Sequence, residues 1–335
     1  MTNTPDWITL TQEEALEPDL PIVDPHHHLW NRPNNRYELD DLVADTAKHN
    51  VRQTVFIECT SMYRADGPEE FKVVGETEYV QGIAAVSASG RYGAFRACTG
   101  IVGSADLALG DRVAPVLEAQ IAAAPQRFRG IRHRAAWAEP GVLPNQPANV
   151  RGHVLMDTDF RKGFAHLRPY GLSFEAWAYH PQMPEVIDLA HAFPDTTIIL
   201  NHLGGPIGVG TYAGKHDEII GGWKKDIAAL AKCENVVAKV GGIQMVVNGF
   251  GWHEQPRPPT SDELLARNGE WYRYIIEQFG PRRCMFESNF PVDKLSCDYT
   301  VLWNQFKKLL KDFSAGERAA MFHDTAQRVY RLPQV

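Results

Sequence analysis

The sequence predicts an α/β fold, a (β/α)8 barrel with long loops over its C-terminal face, and three observations predict it. Eight short runs rich in Val, Ile and Phe recur along the chain, most of them separated by helix-like segments or loops. Near-continuous apolar runs of this kind fit parallel strands covered on both faces. Alternation of strand and helix leaves a closed barrel or an open doubly wound sheet. The first strand-to-helix turn then decides, because it reads PHHHLWNRP where a nucleotide-binding open sheet would carry GxGxxG. A single domain over residues 1–335 is expected.

In a barrel, catalytic groups stand where strands end at the C-terminal face, so each run is read for the residue that closes it. LPIVDP near residue 22 leads to His26 and His28, and QTVFIEC from Gln53 leads to Glu58. TGIVGSA from Thr99 is followed by Ser104 and Asp106. The segment GDRVAPVLEAQIAAAPQRF then sets Val113, Val116, Leu117 and Ile121 on one helical face. RGIRH from Arg129 ends in Arg132 and His133, LSFEAW from Leu172 presents Glu175 and Trp177, and TTIILNH from Thr196 delivers His202. NVVAKVGG from Asn235 carries Lys239, and RCMFESN from Arg283 closes on Asn289 with Asp293 just beyond. Two long connections, AAWAEPGVLPNQPANVRGH after the fourth run and IQMVVNGFGWHEQPRPPTSDE after the seventh, should rise over the mouth as lids or substrate walls.

Composition narrows the function. The chain is 44% hydrophobic and 22% charged, with a formal charge of -7 from interspersed acidic and basic residues. That balance argues against electrostatic binding of nucleic acid or a membrane surface. No segment approaches the roughly 20 apolar residues that span a bilayer, and MTNTPDWITLTQEEALEPDL has no apolar leader, so a cytoplasmic location is expected. Cys59, Cys98, Cys233, Cys284 and Cys297 are scattered without CxxC spacing, which suits buried thiols.

Three motifs carry chemistry. In an extended DPHHHLW segment, His26 and His28 point to one side and His27 to the other, and such a pair suits a divalent metal or a polarised carbonyl. In TTIILNHLGGP an apolar strand delivers His202 ahead of two glycines that permit a sharp turn. In FESNFPVDK the proline after Phe290 forces an extended exit that holds Ser288 and Asn289 at the rim.

DPHHHLW, NHLGGP and SNFPVD, with RGIRH and ECTSMYR in support, together resemble the amidohydrolase superfamily in its amidohydrolase-2 branch, typified by pyrone-dicarboxylate and sugar-acid lactonases. The resemblance runs from about Asp24 to Asp293 and implies a barrel hydrolase in which His26, His28 and His202 activate water. Asn289 stands where the superfamily usually carries an aspartate. A carboxamide is no base near neutral pH, so Asp293 is the expected replacement, with Glu58 and Glu175 as rivals. The resemblance also implies Arg132 as the anchor of a substrate carboxylate, while Lys239 suits an ion pair or anion binding, and Trp177, Tyr179, Tyr63 and Arg64 suit pocket walls. The superfamily's strand-four lysine, which bridges two metals when carboxylated, has no match in RGIRH, which argues against a binuclear centre.

The expected activity is hydrolysis of a lactone of a small carboxylated metabolite, in catabolism of aromatics or sugar acids. One divalent metal ion such as zinc on His26, His28 and His202 is one way to activate the water, and metal-free action is the other. A metal-dependent decarboxylase and a degenerate ligand-binding barrel are the alternatives. The expected partner is the small substrate alone, with self-association into a homo-oligomer left open.

Overall fold

Each of the eight apolar runs becomes a parallel strand. In the computed structural model, which describes residues 5–143 and 150–334, they are β1 (Ile22–His27), β2 (Val51–Ile57), β3 (Arg96–Gly103), β4 (Phe128–Ile131), β5 (Ser173–Ala176), β6 (Ile198–Leu200), β7 (Val236–Gly241) and β8 (Cys284–Glu287). Each strand pairs with the next in sequence order. Just beyond the strand ends, His27 and Phe290 bridge in parallel and close β8 onto β1. His28 N donates to the Phe290 carbonyl at 2.8 Å, and Asn289 N donates to that of His26 at 2.9 Å. The ring therefore closes at the histidine run itself.

Asp24 secures the same seam from within. Its Oδ1 accepts from Ser288 N at 3.0 Å and from His26 N at 3.3 Å, and its Oδ2 accepts from the Tyr299 hydroxyl at 3.0 Å. Burial still dominates and pushes this carboxyl up to about 6.

Among the described residues, eight helices of at least two turns cover the outside: α1 (Leu39–Thr46), α2 (Val74–Ala88), α3 (Ala114–Ala123), α4 (Thr158–Ala165), α5 (Met183–Ala192), α6 (His216–Leu230), α7 (Ser261–Phe279) and α8 (Tyr299–Leu309). Of the face expected for α3, Val113, Val116 and Leu117 are buried and Ile121 is only half-buried. A separate cluster fills the barrel, where Val23, Val55, Ile57, Val102, Ile199, Val237 and Met285 meet Ala326, Val329, Tyr330 and Leu332. The last segment of the chain thus plugs the N-terminal end of the barrel. Among the described residues, no helix is long and apolar enough to cross a membrane.

Two differences from the sequence reading are local. β3 begins at Arg96 rather than Thr99, and the turn after β1 holds a small hairpin of Trp30–Arg32 against Asn35–Tyr37. The long connection after β7 packs on the loop after β6, with Gly208 N donating to the Val247 carbonyl and Asn248 Nδ2 to that of Pro206, both at 2.8 Å. It therefore lies against its neighbour, and none of its residues lines the cavity beside the histidines. Of the long connection after β4, residues 144–149 lie outside the described residues, and Trp137 N at its start donates to Gln182 Oε1 at 2.9 Å.

His27 serves this scaffold. Its Nε2 lies 2.8 Å from Thr54 Oγ1 and its ring stands edge-on to Phe56, fully buried. Burial holds its pKa down to about 3, and burial with the Lys307 ammonium holds that of His49 down to about 3 as well. The unfolded chain protonates both near 6.5, so it binds more protons than the folded chain between those values and acid favours unfolding. Urea titrations should show stability falling as the pH drops from about 6.5 toward 4, by up to about 1.4 kcal/mol per pH unit for each ring. His27→Gln should fall less steeply, and a slope equal to the parent's would refute this role.

Candidate active site

Strand alternation decides which imidazoles meet. His26 and His28 turn to the same side of β1, with ring centroids 5.0 Å apart and edge-on, while His27 faces the scaffold. His202 arrives from the end of β6, and its ring lies 4.5 Å from that of His26. Its backbone has φ 51 and that of Leu203 φ 56, a left-handed bend that non-glycine residues adopt only when their surroundings enforce it. Gly242, after β7 at φ +66, leaves the needed room, since a Cβ there would sit 1.9 Å from His202 Nδ1.

The group that organises the three rings is Glu287, the last residue of β8, which is fully buried. Its Oε1 accepts from His202 N at 3.2 Å and lies 2.8 Å from His202 Nδ1. Its Oε2 lies 2.7 Å from His26 Nδ1 but out of line, and so has no hydrogen-bond partner among the described residues. His28 is fixed differently. Its Nδ1 sits 2.8 Å from the Ile57 carbonyl, which can only accept, so the proton is on Nδ1 and Nε2 keeps its lone pair.

Two buried cations flank His26. Lys239 Nζ is 2.9 Å from Glu175 Oε2 and 3.2 Å from His26 Nδ1. Arg132 Nε is 2.7 Å from Glu58 Oε1, its Nη2 donates to the Glu58 carbonyl, and its Nη1 is 3.4 Å from His26 Nε2. Glu175 also accepts from the Tyr330 hydroxyl and from Asn201 Nδ2. Burial is the first cause that holds His26 and His28 well below the usual imidazole value, reinforced by Lys239 at His26 and by Arg132 at His28. Burial lowers His202 too, against the opposing pull of Glu287. All three rings are neutral lone-pair carriers at neutral pH.

Donor atoms of His26, His202 and Glu287 all lie within 4.8 Å of one another. Counting Glu58, Glu175 and Glu287 as carboxylates against Arg132 and Lys239 leaves one negative charge for a cation to balance. With an orphaned Oε2 among two neutral imidazoles, this donor set fits one divalent ion of the zinc type.

The other expected site residues fall into two groups. Asn289 Nδ2 donates to Asp293 Oδ1 at 2.8 Å, Gln244 N donates to Asp293 Oδ2 at 3.2 Å, and burial pushes the Asp293 carboxyl well above its ordinary range. These bonds run between Asn289, Asp293 and the loop after β7, not to the imidazoles. Glu58, Arg132, Trp177 and Tyr179 instead line a cavity of about 260 Å³ with Arg134 and Val150. The Trp177 ring stands edge-on to His202 at 4.7 Å, joining the cavity to the histidines. Arg64 is spent on Glu78 and Asp106 on capping Ala108 N. The residue that sequence reading passed over is Glu287, whose signal is a carboxylate closing an otherwise apolar strand.

The amidohydrolase family model matches residues 23–332. The protein y4mH of Sinorhizobium fredii is 33% identical over 342 residues, covering 94% of this chain and 99% of that one. An L-fucono-1,5-lactonase of Burkholderia multivorans is 28% identical over 209 residues, covering 62% of this chain and 64% of its own. Among solved structures, an amidohydrolase of Burkholderia multivorans with bound zinc superposes at a TM-score of 0.71 and 23% identity, over 93% of this chain and 99% of its own.

Breaking one half of a buried ion pair strands the other charge away from water. Lys239→Met should therefore lower stability in urea titration by about 3–5 kcal/mol. Adding Glu175→Gln should restore part of that loss, and a second loss of equal size would contradict the pairing.

Proposed function

The chain belongs to the amidohydrolase family, and from that premise we propose that it opens the lactone ring of a small carboxylated molecule with water. The observation that carries this reading is the free Glu287 Oε2 set among neutral imidazoles, beside a cavity edged by cations. The similarity to a lactonase supports the choice of a cyclic ester.

His26, His202 and Glu287 would hold the metal, and an ion bound there supplies a lowered water pKa and a polarised carbonyl. His28 accepts a hydrogen bond from the attacking water at Nε2, the atom its Ile57 contact leaves free. Glu287 takes the water's proton as the new carbon–oxygen bond forms. It returns that proton to the ring oxygen as the acyl–oxygen bond breaks, giving a hydroxy acid. Lys239 and Arg132, beside His26, add positive field where the carbonyl oxygen gains charge.

Arg132 is already matched by Glu58, so the substrate carboxylate is left to Arg134, whose side chain reaches the cavity and, among the described residues, has Thr60 Oγ1 as its hydrogen-bond partner. Trp177 forms the wall against the ring. Asp293 acts through Asn289, holding the exit of β8 rather than the water. Glu287 supplies a carboxylate beside the histidines that Asn289 does not, which supports turnover over a degenerate binding barrel.

A pH-stat screen of carboxylated lactones should find acid release, with Glu287→Gln lowering kcat at least 100-fold on the best substrate. Protein purified without added ions should carry close to one equivalent of divalent metal, reduced in His202→Ala. Carbon dioxide release from aromatic acids instead of acid release from lactones would favour decarboxylation, and an undiminished Glu287→Gln rate would refute the site.

A further inference from the structure

At the opposite, N-terminal end of the barrel lies a second cleft, and we propose that it binds a small phosphate-bearing anion. Arg96, Arg127, Arg129 and Arg331 line this cavity of about 300 Å³. They come from the start of β3, the entry to β4, β4 itself and the segment after a short helix at Thr325–Val329.

None of the four has a carboxylate within ion-pair distance among the described residues. Arg64, Arg151, Arg161, Arg257 and Arg318, by contrast, each pair with an acid. Among the described residues the cleft arginines bond only neutral oxygens. Arg96 Nη1 donates to the Gly93 and Phe95 carbonyls at 2.6 and 2.9 Å, and Arg127 Nη1 to Gln81 Oε1 at 3.1 Å. Arg129 donates to the carbonyls of Phe128 at 3.0 Å, Gln126, and Arg331 at 3.5 Å, and Arg331 Nη2 to that of Gly171 at 2.9 Å. Arg129 Nε is buried with no hydrogen-bond partner among the described residues.

Such a group costs free energy twice, through desolvation and mutual repulsion. Burial, then the nearby Arg331 and Arg127, depress the Arg129 guanidinium accordingly. Arg331 also holds φ 50, a left-handed backbone rare for a non-glycine residue. A bound anion relieves both costs at once, and planar guanidinium forks match the oxygens of a phosphate. Ala84, Ala88, Ala97 and Pro333 form the facing apolar wall, so the cleft suits a phosphate ester with a short carbon chain.

The test is calorimetric titration and thermal unfolding of the full chain with inorganic phosphate and, separately, glycerol 3-phosphate, with ionic strength held constant by sodium chloride. A saturable rise in Tm is expected with either. Arg129→Gln and Arg331→Gln should each weaken binding at least tenfold through loss of a charge-assisted contact. Arg331 is exposed, so its variant reports even if Arg129→Gln fails to fold. Tighter binding of glycerol 3-phosphate identifies the ester as ligand, and equal binding identifies free phosphate. A Tm response that never saturates, that chloride reproduces at equal ionic strength, or that persists in the variants overturns the proposal.

Discussion

One buried carboxylate holds the mouth of this barrel together. Glu287 engages His202 through one oxygen and faces His26 with the other, so β8 sets the attitude of rings that enter from β6 and β1. A charge taken this far from water survives only with polar groups arranged around it. Lys239 and Arg132 supply positive potential nearby, yet neither collapses onto Glu287, because Glu175 and Glu58 hold each in place. Lone pairs are left available where a loosely built cluster would have neutralised itself.

The surrounding backbone shows what this arrangement demands. His202 and Asn289 both adopt left-handed φ, of 51 and 54, at the ends of their strands. Each turns sharply where a strand would otherwise run on into solvent. The seam through Asp24, and the bond from Asn289 to Asp293, make the second turn part of the barrel's closure, while Glu287 holds the first. The placing of the histidine cluster and the closing of the ring thus meet at β8, in Glu287 and the residues that follow it.

The fold was legible because its signal is local. Eight apolar runs announce eight strands, and a period of two already separates His26 and His28 from His27. Glu287 was hidden because SNFPVD drew attention to Asn289 and Asp293, while a carboxylate two residues earlier looked like part of a strand. Pairing across the barrel was equally invisible. Arg132 finds Glu58 from 74 positions away, and that partnership determines whether the guanidinium is free for substrate. Tyr330 carries no motif, and its bond to Glu175, 155 positions distant, depends on how the last segment plugs the barrel.

That plug has a consequence for biogenesis. Tyr330 leaves the ribosome after every strand has been translated, and until then Glu175 lacks one of the donors that hold it against Lys239. Tying Glu175 to the plug makes the seating of Lys239 at the mouth depend on how the opposite end of the barrel is filled.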